Sequence, residues 1–133
     1  MESIEKVAIG FSGGKESIKL VRQLKHKNPI LLTYLPNDDT RGLRALFRYF
    51  AKNEKLKIHI IYGKKKEFNE TIIHDDDGQV VDYNNPLLKK AKSLGIQIFF
   101  MGRRKIDFPS LKEINKPNIT INRIKMEFPL WNE

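Results

Sequence analysis

Short apolar runs rich in β-branched and aromatic residues alternate along this chain with stretches of helical period. A strand, a crossover helix and a second strand favour parallel pairing, and a parallel sheet must cover both of its faces. Val7-Ala8-Ile9-Gly10-Phe11 reads as the first buried strand. From Lys15 to Lys27 the residues Ile18, Val21 and Leu24 recur at three-residue steps, an amphipathic helix that Asn28-Pro29 ends. Ile30 to Leu35 is the second strand, and a second helix is expected from about Thr40 to Asn53, with Leu43, Leu46, Phe47 and Phe50 on one face. Lys57 to Gly63 is the third strand. Asn85-Pro86 opens a helix that Gly95 closes. Ile96 to Gly102 is the fourth strand, and Ile119 to Ile124 the fifth. Thr71-Ile72-Ile73 and Gln79-Val80-Val81 flank Asp76-Asp77-Gly78, which predicts a small hairpin inserted near residues 70–82. The expectation is one α/β domain over residues 1–133. It is a three-layer doubly wound unit of about five mostly parallel strands with helices on both faces.

In such a sheet ligands gather beyond the carboxyl ends of the strands, where the strand order reverses. Ser12 to Ser17, Asn37 to Asp39, Gly63 and Gly102 to Lys105 each follow a strand, so they should meet on one edge. Ser12-Gly13-Gly14-Lys15-Glu16-Ser17 joins the first strand to the first helix. Its glycines let backbone approach an anion, and the helix behind it offers unpaired N–H groups and a positive dipole end. Lys15 can add a charge, and Ser12 and Ser17 can add hydroxyls. The loop is neither a Walker A motif nor a dinucleotide fingerprint. Glu16 follows Gly14-Lys15, and Gly10, Gly13 and Gly14 have the wrong spacing.

Those six residues closely resemble the S-G-G-x-D-S signature of the PP-loop ATP pyrophosphatases (adenine nucleotide alpha hydrolase-like proteins), with Glu16 where that family prefers Asp. Met101-Gly102-Arg103-Arg104-Lys105-Ile106-Asp107 is similar to the G-x-R-R-x-D/E segment of one branch. That branch holds phosphoadenylyl-sulfate (PAPS) reductases, the small subunit of ATP sulfurylase and FAD synthetases. Phe128-Pro129-Leu130-Trp131 is similar to its P-L-x-x-W segment, and also to a Pro-Leu-Trp in diphthine–ammonia ligases. The resemblance implies a Rossmann-like fold, an ATP site with Mg²⁺, attack at the α-phosphate and release of pyrophosphate. It implies Lys15, Arg103 and Arg104 as the charge-stabilising catalytic residues. It implies Ser12, Gly13, Gly14, Lys15, Glu16, Ser17, Asp38 and Gly102 as the nucleotide-binding set. Members of the family run longer, with a further substrate-handling portion, so a protein partner or a homo-oligomer is an expectation too.

Composition narrows the chemistry. The chain has no cysteine, which removes disulfides, thiolate metal sites, clusters and the cysteine-dependent reductase reaction of the branch it resembles. His74-Asp75-Asp76-Asp77 is read as a turn cluster before Gly78, since adjacent residues cannot all converge on one ion. His59 is read as a structural strand residue, and Tyr62, Phe99 and Phe100 as core. No run approaches the roughly 20 apolar residues of a membrane span, and no signal-peptide pattern opens the chain, so a cytoplasmic protein without membrane contact is expected.

The net charge of +9 suits phosphate-bearing ligands. Lys and Arg outnumber acids six to three over residues 1–30 and ten to four over 84–133, and balance at nine each over 31–83. Three readings follow in order. The first is an enzyme that adenylates an unidentified acceptor. The second is a non-catalytic module holding ATP, AMP or an adenylyl sulfate, or the nucleotide-binding subunit of a larger complex. The last is a basic nucleic-acid-binding domain, ranked lowest because residues 84–133 show no basic stripe interleaved with aromatics.

Overall fold

The computed structural model describes residues 5–36, 38, 40–63, 73–74, 80–81, 86–102, 118–121 and 123–132. Its main sheet has six strands in the order β3-β2-β1-β6-β8-β7. They are β1 (Val7–Gly10), β2 (Ile30–Pro36), β3 (Ile58–Gly63), β6 (Ile98–Met101), β7 (Asn118–Ile121) and β8 (Ile124–Glu127). Every neighbouring pair is parallel except β7 with β8. β4 (Ile73–His74) and β5 (Val80–Val81) form a separate antiparallel pair, where the Gly78 turn predicted a hairpin.

Alternate residues of the strands feed two apolar clusters. Val7 and Ile9 of β1, Leu31 and Leu35 of β2 and Phe100 of β6 pack with Leu20 and Val21 of α1 (Lys15–Leu24) and with Phe47 and Ala51 of α2 (Leu43–Glu54). Ala8, Leu32 and Phe99, their neighbours in sequence, pack instead with Leu87, Leu88 and Ala91 of α3 (Pro86–Ser93). The two sets follow the strand period of two, and both are apolar. Phe128, Leu130 and Trp131 are buried, and Phe128 and Trp131 join the α3 cluster with ring centroids 5.8 Å apart. The terminal apolar segment is therefore core.

Three boundaries differ from the sequence reading, each for a local reason. α1 stops at Leu24 and tightens into a 3₁₀ turn (Lys25–Lys27), which the left-handed Asn28 (φ 52°) closes before Pro29. α2 begins at Leu43 because Gly42 sits at φ 68°, outside the helical region. The expected fifth strand is two strands. Ile121 pairs directly with Ile124, and Arg123 at φ 66° turns the chain in two residues, so Ile119 to Ile124 spans a hairpin corner. Tyr62, expected in the core, is 41% exposed because β3 is an edge strand, whereas Phe99 and Phe100 are buried.

Candidate phosphate-binding crevice

Strand order reverses between β1 and β6: the chain leaves β1 toward β2 and β3, then crosses to β6 on the other side. Gly10 and Met101 are register partners, so Phe11 and Gly102 leave the sheet side by side. The loop from Ser12 and the end of β6 thereby bound one crevice at the carboxyl edge.

Gly102 makes the closest approach. A Cβ placed on it would lie 3.2 Å from the carbonyl carbon and 3.3 Å from the Cβ of Glu16, in the first turn of α1. A larger residue here would press on the helix start, which would have to give by a few tenths of an ångström. The two sequence segments singled out above are thus in contact. Arg103 and Arg104, the expected cations beyond Gly102, lie outside the described residues.

The loop closes on itself through hydroxyls. The Ser17 side chain, 4% exposed, donates to the Gly14 carbonyl (3.0 Å) and accepts from the Ser12 N–H (3.3 Å). The Ser12 hydroxyl donates to Ser17 Oγ (3.3 Å) and accepts the Gly14 N–H (3.3 Å). These bonds hold the turn in shape. The Ile18 N–H bonds the Gly14 carbonyl (3.0 Å), the first bond of the helical ladder. Gly14 is the N-cap and brings no side-chain capping bond of its own. Lys15 is exposed at this end and Glu16 half-buried.

Gly13 completes the wall. It stands at φ 80°, and a Cβ there would lie 2.6 Å from the Phe47 ring. Phe47 itself packs edge-on to Phe11 at 5.1 Å, and Phe50 stacks on Phe11 at 4.8 Å. α2 therefore buttresses the loop from behind. Asp38 is exposed in the turn after β2, one strand away at the same edge, while its neighbours Asn37 and Asp39 lie outside the described residues.

The arrangement brings together a helix start, an exposed lysine and the glycines of the loop and of the β6 end. Its physical preference is for an anion of phosphate size. A cavity of about 540 Å³ lies at the opposite edge, between the starts of β1, β2 and β3, and is lined by Lys6, Lys27, Lys55 and Lys57. There the helices end, and lysines offset their negative dipole ends. That edge lacks the donors an anion needs from a helix start. Among the described residues no group of three His, Asp or Glu could hold a metal ion. No protein-family model matches the chain, and no curated protein matches it.

Proposed function

We propose that this crevice binds the phosphates of an adenine nucleotide, and that the chain uses it to cleave ATP between the α and β phosphates. An acceptor would be adenylated and pyrophosphate released. One observation carries the reading: Gly102 lies against the backbone of Glu16, so the end of β6 and the start of α1 share one wall at the strand-order reversal. The two apolar clusters support the accompanying reading of the fold as a three-layer doubly wound unit. The choice of adenine and of the α–β bond rests on the resemblance of Ser12 to Ser17 and of Gly102-Arg103-Arg104 to the PP-loop proteins.

The residues fit phosphate oxygens. The first-turn N–H groups of α1 would hold the departing pyrophosphate, and Lys15 would meet its growing charge. Arg103 and Arg104, next in sequence to Gly102, would add charge at the α-phosphate. Mg²⁺ bound with ATP takes most of its ligands from phosphate and water, which leaves one or two places for carboxylates such as Glu16 and Asp38. In the step itself an acceptor oxygen bonds to the α-phosphorus, and the bridging oxygen leaves with the electron pair on pyrophosphate. Positioning and charge supply most of what such a transfer needs.

ATP binding by calorimetry and pyrophosphate release with candidate acceptors together test the proposal. Loss of one charge-assisted contact in Lys15→Ala should weaken ATP binding about tenfold or more. Failure of ATP to bind, or binding indifferent to Lys15→Ala, overturns it. Binding that depends on Lys15 without release for any acceptor assigns the chain to the second reading, a nucleotide-holding module.

A further inference from the structure

α1 and α2 lie side by side on the sheet. At their heads the Phe47 ring meets Gly13, and at their feet Lys25 Nζ pairs with Glu54 Oε2 at 3.0 Å. Both helices feed the same apolar cluster, so both turn their other sides outward. The exposed positions of this outer face are one-signed. α1 shows Lys15, Lys19 and Arg22, and α2 shows Arg44, Arg48 and Lys52. The two carboxylates of these helices, Glu16 and Glu54, are only partly exposed, and no exposed position of either helix carries an acid. Helical spacing sets successive cations about 4.5–6 Å apart along each axis.

Two further features belong to the same face. A shallow groove of about 480 Å³ on α1 is lined by Lys15, Ile18, Lys19, Arg22 and Gln23. On α2, Tyr49 is 67% and Leu46 59% exposed, the largest exposures of any large apolar side chain described. An exposed tyrosine ring one turn before Lys52 offers a planar platform beside a positive charge. Cations alone would suit any polyanion, but cations in rows, a groove and an open ring suit a strand whose phosphates repeat and whose bases can stack.

We propose that the outer face of α1 and α2 docks a single-stranded nucleic acid, with its phosphodiesters along the two rows and a base on Tyr49. A duplex hides the faces of its bases and fits less well. The proposal does not depend on the ATP reading. Five of its six cations lie outside the loop, and its test leaves Lys15 intact.

The full chain is titrated into fluorescein-labelled oligo-dT and oligo-U of about 20 nucleotides, enough to span one binding module. A duplex of the same length and poly-glutamate serve as comparisons. Anisotropy is read over a salt series. Expected is binding of the single strands in preference to both comparisons, with log K falling linearly in log salt by about 0.7 per phosphate engaged. Tyr49→Ala should weaken binding about five- to hundredfold at constant salt slope. Arg22→Gln/Arg48→Gln/Lys52→Gln should flatten the slope by about 2, with the thermal melt unchanged. Lys52→Gln alone, which should flatten it by about 0.7, carries the charge test if the triple variant melts early. No binding at low salt, a flat slope, equal capture of duplex or poly-glutamate, or indifference to both the Tyr49 and Lys52 variants would overturn the proposal.

Discussion

At Gly13 two constraints coincide. The backbone sits at φ 80°, which L side chains rarely adopt, and the Phe47 ring occupies the space where a Cβ would go, at 2.6 Å. Gly13→Ala should therefore cost about 1–3 kcal/mol of stability by chemical denaturation, above the few tenths expected at an open site. Combining it with Phe47→Ala separates the causes. If the clash contributes, the double variant will lose less than the two single losses added together. The residues of the loop were legible in the sequence because glycine pairs and a following helix have a direct backbone meaning. The bonds between Ser12 and Ser17 were not, since only the short turn brings residues five apart face to face. Counting charge by chain segment also concealed the basic face. Residues 31–83 balance to zero because six of their nine acids fall between Glu67 and Asp82, well after the Arg and Lys of α2.

Among the elements, the helix ends show how local chemistry sets boundaries. α2 and α3 finish in the same way. The Leu56 N–H reaches back to the Ala51 carbonyl (2.9 Å) and the Ile96 N–H to the Ala91 carbonyl (2.9 Å), around a left-handed residue in each case. α3 places Gly95 there, and α2 places Lys55 at φ 59°. Lys55→Gly should remove the strain and raise stability by about 0.5–1 kcal/mol, a melting temperature higher by roughly 3 °C in differential scanning calorimetry. Strand positions were readable from apolar runs, but the β7–β8 corner was not. Ile121-Asn122-Arg123-Ile124 keeps the residue types of a continuous strand, and a positive φ at an arginine has no sequence signature as strong as glycine. The parallel order itself followed from alternation, whereas the antiparallel edge depended on that one corner.

For the whole molecule, one group on β3 ties stability to pH. Burial, with the positive charges of Lys90 on α3 and Lys57, holds the His59 imidazole below the ordinary histidine value of 6.5. Below that pH the unfolded chain takes up a proton that the folded chain resists, so stability falls as the solution is acidified. The loss accumulates from about pH 6.5 down to the depressed native value. His59→Gln should shrink the drop in melting temperature between roughly pH 7 and pH 5, and an unchanged drop would assign the acid sensitivity elsewhere. The contact between Gly102 and Glu16 bears on how the molecule assembles. Its two sides lie far apart in the sequence, at Glu16 and Gly102, and joining them requires the crossover from β3 to β6 to be complete. Closing so long a segment costs chain entropy before the contact gives any return. The crevice thus depends on a long-range closure: its glycine turn and helix come early in the chain, but its second wall exists only once that closure is made.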